Sequence, residues 1–164
     1  MSVTGKIERK YMAHFIDKTF QGTTPSWYRL GKDLEEFNVE MNPDTEKKKN
    51  ILGNNSFIHK GYEMSASADP FYAEVGDDLF ARLQEIVDNQ SNGDQLKTYA
   101  LEVHLWEDGT TSGTFKAYRQ ECYVVPKSYG GDTSGYQIPF DVTYVGEKKS
   151  GYFYTSNSEF TPDA

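Results

Sequence analysis

A mainly β domain of the α+β class, a sandwich or barrel-like body with one flanking α-helix and a long projecting hairpin, is the fold this sequence predicts. Three observations carry the expectation. Aromatic residues make up 15% of the chain, with 12 Tyr and 10 Phe, and such rings suit half-buried pleated surfaces. Several segments alternate apolar and polar residues with a period of two, the signature of half-buried strands. A single segment, residues 78–89, repeats its apolar residues at helical spacing.

Taken in order, residues 1–24 are polar except for the patch Met12-Ala13-His14-Phe15-Ile16. They predict an N-terminal arm with a short strand near Met12–Ile16. Glu36-Phe37-Asn38-Val39-Glu40-Met41 puts Phe37, Val39 and Met41 on one face, which predicts a strand. Asn42-Pro43-Asp44 is turn chemistry, and Thr45–Leu52 then returns as the second arm of a hairpin spanning 34–52. Lys47, Lys48 and Lys49 put charge on both faces of that arm, so it projects from the body instead of packing in it. Gly53-Asn54-Asn55 makes the next turn, and Ser56–Ala68 forms a further strand.

Asp69-Pro70 breaks that strand, and Asp77 or Asp78 caps a helix over Asp78–Asn89. Its apolar stripe is Leu79, Phe80, Leu83, Ile86 and Val87, and Asn92-Gly93 closes it. The remainder reads as strands. Thr98–Trp106 carries Leu101, Val103 and Leu105 on one face and turns at Glu107-Asp108-Gly109. Phe115–Val125 follows, with a flexible connector over 128–135. Tyr136–Val145, a turn over 146–149 and Gly151–Thr155 complete the body. Strands around one helix fit a layered single domain over 1–164.

A chain of 164 residues buries about 68–70% of its unfolded surface on folding and needs no metal or disulfide to hold it. The formal charge is −8, with a net of +2 in residues 1–60 and −10 in residues 61–164. An acidic chain without a basic stripe is a poor binder of phosphate backbones. Cys122 is the only cysteine, which excludes an intrachain disulfide; its place in a strand marks it as a buried small residue. Neither a signal peptide nor a span of transmembrane length is expected, so the product should stay in the cytoplasm that makes it.

No catalytic set can be built from the residues. His14, His59 and His104 are far apart, and none has a second ligand at helical spacing. Neither a nucleophile elbow nor a phosphate-cradling loop occurs. Lys47-Lys48-Lys49 lacks the interleaved aromatics that nucleic-acid stacking needs. An alternative for these lysines is a subunit contact with the segment Glu63–Asp94, which holds eight acidic residues and one arginine. Neither an enzyme nor a cofactor is expected.

Several stretches resemble one protein family. Trp27-Tyr28-Arg29-Leu30-Gly31-Lys32-Asp33-Leu34-Glu35-Glu36, Glu46-Lys47-Lys48-Lys49-Asn50-Ile51-Leu52-Gly53 and Ser128-Tyr129-Gly130-Gly131-Asp132-Thr133 are similar in wording and order to the major tail tube protein of long-tailed phages of Gram-positive hosts. Met12-Ala13-His14-Phe15-Ile16-Asp17 looks like a start of that family, leaving residues 1–11 as an extension. The resemblance implies a structural virion protein whose hexameric rings stack into a tube conducting DNA, without sequence-specific binding. It implies as partners further copies of the chain, a tape measure protein, and tail terminator or distal tail proteins, with assembly in the host cytoplasm and no membrane anchor. Subunit contacts are then expected at Phe15 and Ile16 of the arm and at Glu40, Asp44, Glu46, Lys47, Lys48 and Lys49 of the hairpin. The alternative is a carbohydrate- or host-binding β-sandwich module that stacks sugars on Trp27 and Trp106.

Overall fold

The computed structural model describes residues 3–163. Its strands are β1 (Met12–Asp17), β2 (Trp27–Arg29), β3 (Pro43–Lys49), β4 (Asn55–Tyr62), β5 (Ser65–Ala68), β6 (Lys97–Asp108), β7 (Thr114–Pro126), β8 (Gly130–Asp132), β9 (Gly135–Gln137), β10 (Phe140–Tyr154) and β11 (Glu159–Pro162), with helix α1 (Asp78–Asn89) between β5 and β6. Six strands form one antiparallel sheet in the order β11-β10-β7-β6-β1-β2, and β5 adds to β10 as a seventh. β3 pairs only with β4, and β8 only with β9. The fold is therefore mainly β with one helix, built on a curled, half-barrel sheet.

Helix α1 forms where its stripe predicts. Asp77 caps it, its carboxylate accepting the amides of Leu79 at 2.9 Å and Phe80 at 3.1 Å, which satisfies two of the first-turn donors. The same carboxylate accepts the Tyr28 hydroxyl at 2.7 Å and ties the helix start to β2. Leu79, Leu83 and Ile86 are buried against Ile16, Ala100, Cys122, Val124, Phe140 and Val142 of the sheet. Burying each such side chain contributes about 1.5–3 kcal/mol. The helix ends at Asn89, as expected, with Gln90 capping it in the left-handed conformation. Asn92 instead starts a short 3₁₀ turn over Gly93–Leu96.

The opposite sheet face holds a second cluster, where Ala13, Leu101, Val103, Ala117 and Phe153 are buried beneath Phe15, Trp27, Leu105, Phe115 and Phe160. Residues 100–103 are thus buried on both sides, so period-2 alternation fades in the middle of β6.

Four expectations need correction. Residues 12–17 are not part of an arm: β1 lies between β6 and β2 in the sheet, because its alternate residues serve both apolar clusters. Residues 36–41 form no strand. They run extended with one bridge, Glu40 to Ser65; Phe37 turns into the core and packs on His14 at 4.8 Å, while Met41 is exposed. The hairpin is accordingly shifted to 43–62, and Asn42-Pro43-Asp44 is the corner at its base, where Asn42 takes a φ of 44°. Residues 146–149 are not a turn: β10 runs through them as one strand with a bulge. Val145 pairs with Glu121 and Lys149 with Arg119, which leaves three residues opposite Gln120, and Gly146 supplies the positive φ of 69°. At that bulge β10 exchanges its outer neighbour, from β5 to β11. The connector over 128–135 contains β8 and the start of β9.

Candidate assembly interface

The β3–β4 hairpin is the element that the rest of the chain supports least. Its residues are almost all exposed, with Glu46 and Gly61 partly shielded. It is clipped to the body at its base, where the Asn42 side chain donates to the Glu63 carbonyl and the Ser65 hydroxyl, both at 3.0 Å. Beyond that clip it stands as a two-stranded ribbon, an arrangement of marginal stability in water when isolated.

The pairing register sorts its side chains. Lys47 faces Phe57, Lys48 faces Ser56, and Thr45 faces His59. Lys47 and Lys49 therefore share one face with Phe57 and His59, and Lys48 lies on the other with Glu46, Ile58 and Lys60. Glu46 bridges Lys48 at 3.5 Å and Lys60 at 3.3 Å. The three lysines do not form one patch.

At the tip, Asn50 organises the turn. Its side-chain oxygen accepts the amides of Leu52 and Asn54, each at 3.0 Å, and Gly53 closes the loop with φ of 83°. The result is a fixed loop that holds Ile51 and Leu52 in solvent, at 103% and 80% exposure, with Phe57 at 61% on the ribbon behind. Ile58 and Tyr62 are also exposed. These apolar residues had a sequence signal, an Ile-Leu pair inside an Asn-to-Gly loop, but lysine charge and the stronger turn at Pro43 outweighed it.

The residues expected at subunit contacts divide between core and surface. Ile16 is 1% exposed in the helix-side core, and Phe15 packs on Phe153 at 4.9 Å in the second cluster; neither is placed to meet a neighbour, because β1 spends both its faces on the fold. Glu40 is an exposed residue beside the hairpin base, bridged to Ser65 through its backbone. Asp44, Lys47, Lys48 and Lys49 are exposed on the hairpin itself and Glu46 is half-exposed.

Much of the acidic segment from Glu63 to Asp94 is engaged by the chain's own cations. Asp69 meets Lys127, Glu74 meets Lys32, Asp78 meets Lys18 and Glu85 meets Arg82. Among the described residues, Asp88 and Asp94 have only neutral partners, Gln84 and the Tyr123 hydroxyl.

A second polar group lies on the helix side of the sheet, beyond the core. His14 and Glu102 are paired across β1 and β6, and Lys148 from the bulge reaches Glu102 at 3.0 Å. Burial lowers the His14 pKa to about 4, and the Arg9, Lys148 and Arg29 charges act in the same direction against Glu102. His104 stacks on Trp106 at 4.4 Å, and Trp27 packs on the second cluster, so each indole already spends a face within the fold. Burial pushes the Cys122 thiol up to about 12, which leaves no thiolate for chemistry near neutral pH. No group of three or more His, Cys, Asp or Glu among the described residues is arranged to hold a metal ion, and no described helix is long and apolar enough to cross a membrane.

No protein-family model matches the chain, and no curated protein matches it.

Proposed function

We propose that this chain is a self-assembling structural subunit, the building block of a phage tail tube of stacked hexameric rings. The observation that carries the proposal is the hairpin over 43–62: a two-stranded ribbon, clipped at its base, that holds Ile51, Leu52 and Phe57 in water. Apolar residues gathered on a projecting element mark an interaction site. A ribbon without a core gains its stability from whatever covers it.

The resemblance to tail tube proteins supplies the form of the assembly, and the reading of the residues agrees with it. The body is closed around two apolar clusters, whereas the hairpin has no core of its own and exposes apolar side chains along its length. The acidic charge of −8 suits a tube wall along which DNA slides without adhering. In this reading the ends of the tube meet terminator and distal tail proteins, a tape measure protein fills it during assembly in the host cytoplasm, and the virion tail is where the protein resides.

Negative-stain microscopy of the purified chain over a range of concentrations tests the proposal. Rings or tubes of uniform diameter are expected. A chain that stays monomeric up to high concentration, or that forms only closed dimers, overturns it.

A further inference from the structure

A shallow groove of about 270 Å³ lies at the C-terminal end of α1, between the helix and the end of β7. Its apolar walls are Ile86, Val87, Leu96, Val125 and Pro126, with Tyr129 at the rim. It falls just below the range of about 300–1,000 Å³ usual for small-molecule pockets, which suits it to a few inserted side chains. Val125 and Tyr129 are exposed on this wall.

The electrostatics around the groove are unbalanced. The last turn of α1 contains Asp88 and no basic residue, although the carbonyls at a helix C-terminus favour a cation. Asp94 lies on the 3₁₀ turn Gly93–Leu96, between Ser91 and Leu96, both of which line the groove. Lys127 is the cation at the opposite wall, and it is already shared between Asp69 and Asp141, at 3.6 Å from each. The groove therefore offers an apolar floor flanked, outside its lining, by Asp88 and Asp94. Neither makes an ion pair among the described residues, and Lys97, the cation that acts on Asp94, is bridged to Glu121 at 3.3 Å.

The hairpin tip has the complementary character. It presents Ile51 and Leu52, held outward by the Asn50 turn, directly after the basic run Lys47-Lys48-Lys49. We infer that the Ile51-Leu52 tip of one copy inserts into the groove between α1 and β7 of a second copy, with Lys47 and Lys49, which share one face of the ribbon, on the side of Asp88 and Asp94. The inference rests on the assembly reading above and names the receiving surface. A protruding knob that fits a hollow elsewhere on an identical chain makes a head-to-tail contact, and such contacts close into rings or extend as filaments. Because the turn is already fixed in the free chain, little ordering is needed on docking.

Cross-linking between two variants tests this. Leu52→Cys and Val125→Cys are made in separate chains, both at exposed positions, and the native Cys122 is buried and unreactive. A disulfide requires Cα atoms closer than about 7 Å, so the bond reports direct docking. Mixing the two variants under mild oxidation should give a heterodimer linked through 52 and 125, identified by peptide mapping. A chain carrying both substitutions should give a ladder of covalent oligomers. Rings or tubes in which only 52–52 links form, or no links at all, overturn the groove assignment and leave the tube reading standing. Ladders linked through 52 and 125 without any tube support the groove and count against the tube. A chain that neither assembles nor cross-links overturns both.

Discussion

His14 sits on β1 beneath Phe37, 8% exposed, and its neutral form is the one the fold accommodates. Burial is the main cause of a pKa lowered to about 4, reinforced by Arg9, Lys148 and Arg29 and opposed by Glu102. The unfolded chain takes up this proton near pH 6.5, so it binds more protons than the folded chain between that value and about 4. Stability from this group is therefore fully present above about pH 6.5 and is lost as pH falls toward 4, a total on the order of 3 kcal/mol. His14→Gln should flatten that part of the stability–pH curve. The difference between parent and variant in denaturant midpoint, followed from pH 7 to pH 4, measures it; parallel curves would mean that His14 takes up its proton as easily folded as unfolded. Single residues of this kind are poorly legible in sequence. His14 was the polar member of the short patch Met12–Ile16, and its burial follows from Phe37, 23 positions away, folding over it. Cys122 was legible, because a small residue alternating within Gln120–Val124 has to face one side of a sheet.

The elements differ in how far local sequence determines them. Helix α1 was readable over Asp78–Asn89, with its cap narrowed to Asp77 or Asp78, since its stripe and its length agree. Leu83 is fully buried in that stripe, so Leu83→Asp loses its burial and leaves an unpaired carboxylate in the core, a cost of more than about 3 kcal/mol. Loss of most soluble protein, or a large fall in melting temperature, is expected, and an unchanged melt would put the helix face elsewhere. The hairpin was legible as a projecting ribbon but not in its register. Asn42-Pro43-Asp44 has the stronger turn chemistry, yet a proline can occupy the first residue of an edge strand, and Pro43 does so opposite Tyr62. The actual reversal uses Asn50 and Gly53; Gly53-Asn54-Asn55 was legible as a turn, but as the exit from the hairpin instead of its tip. The β10 bulge was misread for a related reason: glycine followed by charged residues fits a turn, and only the partner strand decides between turn and bulge. Replacing residues 44–61 by Asn-Gly, a two-residue turn that joins paired strands, should leave the body folded, because the clip from Asn42 to Glu63 and Ser65 remains. Thermal melts and circular dichroism close to the parent are expected. An unfolded product would make the ribbon part of the fold's own support.

At the scale of the molecule, charge is divided between the hairpin and everything else. Residues 43–62 contain Lys47, Lys48, Lys49 and Lys60 against Asp44 and Glu46, a net of +2. Since the whole chain carries −8, the remainder carries −10. Copies of so acidic a body repel one another, and in the proposed assembly the basic ribbon supplies the attraction. Changing Lys47, Lys48 and Lys49 together to Glu takes the hairpin from +2 to −4 and the chain from −8 to −14. The fold should survive, because all three side chains are exposed and surface charges of this kind contribute little to stability. Assembly should not. The salt response separates the electrostatic contribution from the apolar one. The screening length falls from about 30 Å at 0.01 M salt to about 3 Å at 1 M, so parent association should weaken as salt rises. In the triple variant salt instead screens a repulsion and should restore part of the association, through Ile51 and Leu52. Sedimentation velocity at low and high salt measures both trends on the same samples. A variant that assembles as well as the parent at low salt would show that the lysines only solubilise the ribbon and that the apolar tip alone joins the copies.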